Sequence, residues 1–228
     1  MFEFDFAQYR QALSDKIADR CPGSVAGEPL LNELQRVADE AERLLEQHQV
    51  ADRSLLDCGP GCSSCCVVNV STLLPEGIAI AHYLRGQDVG LKNQIRSKVE
   101  ELWCEVRGLD DEERLCMRRK CAFLDEQGCC TIYPVRPLLC RSLTSTDADR
   151  CREALVGQAF GEERPILMHQ FQQQLYETLF IGVADGLEKG GLDGRSFQLT
   201  GLIRFLFKHP EAEAELLEGR RLCWQDLY

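Results

Sequence analysis

The sequence predicts a mainly α-helical protein, built as a single helical domain with irregular cysteine-rich metal-binding loops and at most a short β piece. Apolar residues recur at spacings of three and four over most of the chain, which is the period of an amphipathic helix. Proline and glycine stand where many of these stretches begin and end. Eight of the thirteen cysteines fall in two short segments between the helical parts. We therefore expect one domain over residues 1–228, with a metal-binding core at about 57–151 and helical flanks at 1–50 and 165–228.

Individual helices follow from periodicity and from capping residues. In the first, Phe6 and Ile17 fall on one face, and Asp88 is placed to cap the fourth. Short extended pieces are predicted at residues 67–70, which are rich in valine, and at 131–133. The predicted helices cover residues 2–20, 29–45, 75–86, 88–109, a short piece around Cys116, 165–183, 196–208 and 210–219.

Two cysteine-bearing segments stand out from this helical background. The first reads Cys58-Gly-Pro-Gly-Cys62-Ser-Ser-Cys65-Cys66, and the second runs from Cys121 through Cys129, Cys130 and Cys140 to Arg141. Thiolates bind soft or borderline metals such as zinc, copper(I), and iron in iron–sulfur clusters. The glycines and proline of the first segment suit a turn that supplies several ligands. The second segment would close the site from a distant part of the chain, and Cys151 is a further candidate ligand.

The charge balance argues against some partners and compartments. A formal net charge of -11 disfavours nucleic acid and anionic membranes, because those partners attract basic surfaces. No apolar run approaches the roughly 18 to 20 residues of a membrane span, and the acidic N-terminus lacks the positive start of a secretory signal. We therefore expect a cytoplasmic protein, where dense cysteines indicate metal or redox chemistry rather than disulfides. A metal ion is the expected partner, and a protein substrate or partner stays open.

The cysteine spacing is a poor match to common zinc folds. Cys62 and Cys65 form one short pair, but nine residues separate Cys130 from Cys140, whereas a zinc ribbon needs two short pairs. The side chains of vicinal cysteines tend to point apart, so each vicinal pair would bridge two metal centres, divide its ligands between them, or keep one member structural. Eight thiols would suit two four-ligand sites, or one cluster plus a second metal.

The first segment also contains a spacing known from another class of metal protein. Cys58-x3-Cys62-x2-Cys65 has the spacing of the three cysteines that hold the cluster in radical S-adenosylmethionine enzymes, where one iron stays open for the cofactor. Ser64 stands where that class usually has an aromatic residue, and the alternating strands and helices of its barrel are missing. We therefore expect no true member of that class, and keep a cluster with one open iron as an alternative.

Basic and aromatic side chains flank the last cysteine of the second segment. Arg136 and Arg141 are candidates to donate hydrogen bonds to the sulfur of Cys140 or its neighbours, which would offset the negative charge of a metal–thiolate site. They could equally bind a carboxylate or phosphate of a ligand, or lie on the surface beside a turn. Tyr133 would pack over the loop or donate its hydroxyl. These three residues are the predicted supporting contacts of the bound cofactor.

The two segments together resemble a known family. The pattern C-x3-C-x2-C-C, then C-x-F-L, then C-x-I-Y-x-x-R-P-x-x-C-R is similar to that of the YkgJ-type cysteine-cluster proteins, a family of zinc- or iron-chelating domains related to flagellin lysine N-methylase. The match runs over residues 58–141. Ala122 stands where the family often has proline, and Cys129 is an additional cysteine and, like Cys151, a further candidate ligand. The resemblance also marks Tyr133, Arg136, Pro137 and Arg141. The metal ligands that it implies are Cys58, Cys62, Cys65, Cys66, Cys121, Cys130 and Cys140.

Three functions remain open at this point. The first is a protein that coordinates zinc or iron, as single ions or as an iron–sulfur cluster, for a structural, storage, delivery or sensing role. The second is an iron–sulfur enzyme that uses S-adenosylmethionine, such as a protein-lysine N-methylase, an alternative that rests on the three-cysteine spacing and on the resemblance. The third is a thiol redox protein that works through its vicinal cysteines. No histidine lies within the cysteine segments to act on a metal-bound water, which favours the first.

Overall fold

A computed structural model describes residues 4–21, 28–47, 53–158, 160–162, 164–221, 223 and 227. Over these residues it is mainly α-helical, with 61% in helices and one two-stranded sheet. The fold-class prediction is therefore confirmed. The helices are α1 (Phe6–Ala18), α2 (Glu28–Gln47), α3 (Leu74–Arg85), α4 (Val89–Val106), α5 (Asp111–Met117), α6 (Leu138–Ser142), α7 (Ala148–Gln158), α8 (Gln170–Lys189), α9 (Leu199–Lys208) and α10 (Ala212–Leu217); the strands are β1 (Ser71–Leu73) and β2 (Ser196–Gln198).

Helix α8 is the centre of the hydrophobic core. Its residues Leu175, Leu179 and Leu187 have no exposed surface, and α1 packs along it. The two helices approach closely because position 186 is glycine. A Cβ at Gly186 would lie 2.6 Å from the Cβ of Ile17 and 2.8 Å from the carbonyl oxygen of Ser14. The remaining helices and the sheet pack into the same continuous apolar cluster.

Local capping signals were read correctly from the sequence. The Asp88 side chain accepts a hydrogen bond from the backbone N–H of Leu91 at 3.0 Å and caps α4 as predicted. Helix α3 ends at Gly86, also as predicted. The predicted helix from residue 165 begins five residues later, at Gln170, because His169 caps it: the Nδ1 atom of His169 accepts from the N–H of Gln172 at 3.0 Å.

The extended pieces lie elsewhere than predicted. Residues 67–70 leave a turn, and the strand that follows them is β1, which pairs antiparallel with β2. Residues 196–198 therefore form a strand rather than the first turn of the predicted helix 196–208. The predicted strand at 131–133 is also wrong, because this stretch leads into the short 3-10 helix Tyr133–Val135. The errors at residues 67–70 and 196–198 come from the pairing of β1 with β2, which lies far away in sequence and which local propensity does not see.

Among the described residues, no helix combines the length and the apolar character that a membrane crossing requires.

The predicted start of the first helix at residue 2, and its expected end near Cys21, fall partly on residues outside the described ranges. Two short helices, α6 and α7, were not predicted, and each carries one cysteine of interest. Cys140 lies on α6 and Cys151 lies on α7.

Candidate metal centre

The first cysteine segment is folded into successive tight turns. The N–H of Cys62 donates to the carbonyl of Gly59 at 3.0 Å, and the N–H of Cys66 donates to that of Ser63 at 3.2 Å. Gly61 has φ +86°, a conformation that glycine adopts without strain. The turns therefore bring four thiols from nine consecutive residues into one short folded segment.

The second segment begins as a tight loop closed by its own backbone. The N–H of Asp125 donates to the carbonyl of Cys129 at 2.9 Å, and the Asp125 carboxylate accepts from the N–H groups of Gln127 and Cys129. Gly128 has φ +79° and lies against the first segment, since a Cβ there would be 3.1 Å from the carbonyl oxygen of Gly61. Asp125 therefore holds the loop, and the close approach at Gly128 brings the two segments together.

Backbone and lysine hydrogen bonds join the two segments directly. The N–H of Cys121 donates to the carbonyl oxygen of Cys66 at 2.7 Å. The Lys120 ammonium donates to the carbonyl of Ser63 at 2.7 Å and to its hydroxyl at 3.2 Å. These contacts fix thiols that are more than fifty residues apart in sequence in a shared region.

A buried carboxyl group positions Cys140. The two oxygens of Glu76 accept hydrogen bonds from the backbone N–H groups of Leu73 and Leu138, each at 2.8 Å. The second of these bonds fixes the start of α6, which carries Cys140. Burial raises the pKa of Glu76 to about 7, while the two N–H donors and the charge of Arg141 oppose that rise. Glu76 thus connects the helical core to the cysteine-bearing region.

Four thiols form what we call the inner thiol group, namely Cys66, Cys121, Cys130 and Cys140. Burial raises the pKa of Cys121 to about 11, and the charge of Cys130 raises it further. The pKa of Cys140 is also raised, first by burial and then by the charges of Cys121 and Cys130. Cys121 and Cys140 in turn add to the raised pKa of Cys66, after its hydrogen bond to Cys65 and its burial. The four thiols are therefore near enough to influence one another.

Three further thiols form the outer thiol group, namely Cys58, Cys62 and Cys151. Burial raises the pKa of Cys151 to about 11, and the charges of Cys65, Cys58 and Cys62 raise it further. Burial also raises the pKa of Cys58, with added contributions from Cys62 and Cys65 and an opposing hydrogen bond from the backbone of Ser145. Cys151 was only a further candidate in the sequence, and the structure brings it to the first segment.

Cys65 lies between the two groups and interacts with Cys66. The Cys66 thiol donates a hydrogen bond to Cys65, and this bond lowers the pKa of Cys65 although burial opposes it; the charges of Arg136 and Lys120 lower it further. We expected vicinal side chains to point apart. They converge here because the backbone turns at Cys66 rather than running extended.

Arg136 lies beside the inner thiol group and contacts Tyr133. The Arg136 guanidinium stacks over the ring of the exposed Tyr133, 4.5 Å from its centroid. Burial raises the pKa of Cys130 and of Cys140, and the positive charge of Arg136 opposes that rise. Among the described residues, its buried Nε atom has no hydrogen-bond partner. A buried donor without an acceptor is rare in proteins and indicates a missing partner.

Arg141 contacts the backbone of its own segment. Its guanidinium donates to the carbonyl oxygens of Arg136 at 3.1 Å and Pro134 at 3.0 Å. It therefore holds the backbone of the second segment, and its charge also contributes to lowering the pKa of Glu42.

Arg114 belongs to the site and was missed in the sequence. It is 3% exposed, on α5, and its buried Nη1 atom has no hydrogen-bond partner among the described residues. Burial lowers the pKa of Arg114, while the charge of Cys121 opposes that shift. Arg114 lies seven residues before Cys121 in an acidic, charged stretch, so the sequence carries no signal that would separate it from surface arginines.

The other cysteines are placed outside the two groups. Cys21 is buried, and its thiol donates to the carbonyl of Ile17 at 3.2 Å. Cys104 and Cys223 are exposed, as is Cys116. Cys129 lies in the Asp125 loop, where Cys130 is the member of the vicinal pair whose charge acts on Cys121 and Cys140.

The donor set fits zinc or iron. Seven thiols and Cys65 are chemically suited to both metals, and the unpartnered guanidinium N–H groups of Arg136 and Arg114 fit the negative charge of metal-bound thiolates. Within the described ranges, no group of three or more His, Cys, Asp or Glu side chains already stands in an arrangement that could hold a metal ion.

Comparison with known proteins agrees with this chemistry. Residues 57–162 match the family model named CxxCxxCC, whose description is "Putative zinc- or iron-chelating domain". The matched segment contains both thiol groups, Cys65, Arg114 and Arg136. No curated protein and no solved structure matches the chain. Over residues 57–162, a little under half of the chain, the sequence is therefore similar to the CxxCxxCC family of cysteine-cluster domains.

Proposed function

We propose that this protein coordinates zinc or iron through thiolates of the inner and outer thiol groups, in the cytoplasm. The observation that carries the proposal is the meeting of thiols from three separate parts of the chain beside Arg114 and Arg136, each of which has one buried guanidinium nitrogen without an acceptor among the described residues. The predicted ligands Cys58, Cys62, Cys65, Cys66, Cys121, Cys130 and Cys140 all fall in this region. Cys151 joins the proposed set, and Cys129 does not.

The protein's own residues would perform two tasks around the metal. Arg136 and Arg114 would donate hydrogen bonds to thiolate sulfur, which offsets negative charge and raises affinity. Glu76 would hold α6 so that Cys140 faces the other ligands. Bound metal would cross-link segments distant in sequence, so that binding free energy also stabilises the fold.

A closed, fully thiolate-ligated site is supported over one that keeps a position open. Cys58, Cys62 and Cys65 have the spacing of a three-ligand cluster, but Cys151 lies near all three. A fourth thiolate there would occupy the position that a cofactor such as S-adenosylmethionine needs, and closed four-ligand sites are typical of structural metals. This supports a structural, storage, delivery or sensing role over the methylase alternative.

The direct test is elemental analysis with an absorption spectrum on protein purified without oxygen. Zinc with a colourless solution supports single-ion sites, whereas iron with sulfide and a broad visible band supports a cluster. A chain that contains neither metal, and takes up neither when reduced and supplied with each, would overturn the proposal.

The ligand assignment has its own test. The double variant Cys58→Ser/Cys140→Ser removes one thiol from the outer and one from the inner thiol group and should lose metal. The matched control is Cys104→Ser, because Cys104 is an exposed thiol on α4 outside both groups. Full metal content in the double variant would refute the assignment.

A thiol redox function is the second candidate, and the hydrogen-bonded pair Cys65 and Cys66 favours it. The lowered pKa of Cys65 gives a nucleophilic thiolate. It would attack the disulfide of a small thiol compound, and Cys66 would then form the S–S bond, so that two protein thiols lose two electrons and the compound is reduced to two thiols. Thiol titration of metal-free protein before and after treatment with oxidised glutathione tests this: loss of two thiols per chain, restored by reductant, is expected.

A further inference from the structure

A cavity of about 260 Å³ lies where the C-terminal end of α4 meets β2 and the start of α9. Apolar side chains form most of its wall, namely Trp103, Val106, Phe197 and Leu202, and all four are buried. Protein interiors contain few voids larger than a water molecule, and an apolar cavity of about 150 Å³ already accommodates benzene. The space is therefore large enough for one aromatic ring that carries a short chain.

The indole of Trp103 has its polar atom already hydrogen-bonded within the protein. Its Nε1 atom donates to the carbonyl oxygen of Leu227 at 3.3 Å. The Arg204 guanidinium stacks over the ring, 3.4 Å from its centroid, and Arg204 is itself paired with Glu100 at 2.9 Å. Trp103 can therefore contact a ligand only through the apolar surface of its ring.

Other polar side chains that line the cavity are free to bind a ligand. Arg107, Gln198 and Thr200 make no side-chain hydrogen bond to the described residues. The exposed Arg107 guanidinium lies 4.7 Å from the centroid of Trp103 and forms no ion pair with a described carboxylate. A guanidinium offers a planar fork of N–H donors that matches a carboxylate. The free groups at the cavity thus include one cation and one hydroxyl donor.

The remaining polar side chains of the wall are already hydrogen-bonded. The Asn69 amide donates to the carboxylate of Asp111 at 2.9 Å. Asp110 accepts from the N–H of Glu113 at 2.9 Å and caps α5. Among the described side chains that line the cavity, Arg107 therefore carries the one charge that is neither paired nor capping a helix.

We propose that this cavity binds a small monocarboxylate with an apolar, ring-sized body. The body would lie against Trp103, Val106 and Leu202, and the carboxylate would accept from Arg107 and from the hydroxyl of Thr200. Small-molecule sites are typically apolar with a few placed polar groups of this kind. A single negative charge suits the site better than the double charge of a phosphate, because the Asp110 carboxylate also lines it. The inference goes beyond metal binding and does not depend on it, since no described cysteine lines the cavity.

The test is calorimetric titration of the full, reduced chain with 3-phenylpropionate, which should bind one molecule per chain. The neutral 3-phenylpropionamide keeps the body and should bind about 10-fold more weakly, because it loses the charge-assisted hydrogen bond to Arg107. Acetate keeps the charge without the body and should not bind. Fluorescence of Trp224→Phe, in which Trp103 is the remaining tryptophan, should change with 3-phenylpropionate and so place the ligand beside Trp103.

Variants of the cavity identify the group that binds the carboxylate. Arg107→Met should weaken 3-phenylpropionate binding by about 10-fold and leave the affinity for the amide unchanged. The matched control is Arg96→Met, because Arg96 is also on α4 and also stacks over an aromatic ring, 5.2 Å from the centroid of Phe207, but does not line the cavity. Val106→Phe should fill the cavity and abolish binding of both ligands. If Val106→Phe does not fold, the arginine variants and the amide still decide.

Three results would overturn the proposal. One is the absence of 3-phenylpropionate binding at millimolar concentration. Another is equal affinity for the carboxylate and the amide, which would exclude recognition of the charge. The third is an equal loss of affinity in Arg107→Met and Arg96→Met, which would attribute the effect to net charge rather than to the cavity. None of these results bears on metal content, so the proposed function is tested separately.

Discussion

The helical core and the cysteine-bearing region are held in place by different interactions. In the core, α1 and α8 pack through fully buried leucines and a close approach at Gly186. In the cysteine-bearing region, residues 57–66 and 121–142, order comes from backbone hydrogen bonds, from Asp125, and from the carboxyl group of Glu76. Apolar burial stabilises a fold without a ligand, whereas a hydrogen-bonded loop region with clustered thiols gains much of its stability from metal.

Metal removal should cause the largest difference in stability between the helical core and the cysteine-bearing region. At a free zinc concentration about 1,000 times the Kd, binding adds roughly 4 kcal/mol to the free energy of unfolding. Chelation should remove that amount, and hydrogen exchange should show loss of protection at the amides of Cys121 and Thr131, whose backbone bonds close the loops. The amides of α8 should keep most of their protection. Equal loss in both regions would show that they unfold as one unit.

Glu76 lies at the junction of the two regions, and its titration should be visible in the stability of the metal-free chain. Its pKa in the folded chain, about 7, lies above its ordinary value near 4.5, so the folded state binds more protons between these pH values. The free energy of unfolding that Glu76 contributes is therefore fully present below about pH 4.5 and falls as pH rises towards 7, by on the order of 3 kcal/mol.

Urea unfolding of the wild type and of Glu76→Gln at several pH values between 4.5 and 8 measures this contribution. Cys65, whose pKa is lowered, titrates in both proteins, so their difference isolates Glu76. The free energy of unfolding of the wild type should therefore fall relative to that of Glu76→Gln as pH rises from 4.5 towards 7. A difference independent of pH would mean that the N–H donors of Leu73 and Leu138 outweigh burial.

Gly186→Ala tests the core alone. The added Cβ would meet Ile17 and the backbone of Ser14 at less than 3 Å, and overpacking of this kind costs about 1–3 kcal/mol, partly offset by the better helix propensity of alanine. Thermal unfolding should show the loss while the number of bound metal ions stays unchanged. Gly201→Ala, on α9, is the matched control, because an added Cβ there would meet nothing closer than 3.4 Å; it should not destabilise the fold. Loss of metal from Gly186→Ala would contradict the separation of the two regions.

The contrast between the regions also explains what the sequence could predict. The caps and periodicity of α4 are local, so Asp88 and its helix were predicted correctly. The pairing of β1 with β2 joins residues more than a hundred positions apart, and propensity placed residues 196–198 in a helix instead. In the site, cysteine density indicated the candidate ligands, but the position of Cys151 depends on how α7 folds back through Asp57. Arg114 reaches the thiols only through tertiary packing and has no motif.

Arg114 gives the smallest expected effect and the sharpest distinction between the regions. In the metal-free chain it is a buried cation with an unpartnered Nη1 atom, and such a group is costly. Arg114→Met should therefore leave the metal-free chain equally stable or more stable. With metal bound, the lost hydrogen bond to sulfur should weaken zinc affinity by about 10-fold, as measured by chelator competition. Arg114→Lys, which keeps the charge, should recover part of that loss.

The control is Arg119→Met, because Arg119 is an exposed neighbour paired with Glu105. Its removal should measurably change neither the stability of the metal-free chain nor the zinc affinity. Unchanged zinc affinity in Arg114→Met would show that its Nη1 atom does not face the inner thiol group, and would leave Arg136 as the donor there.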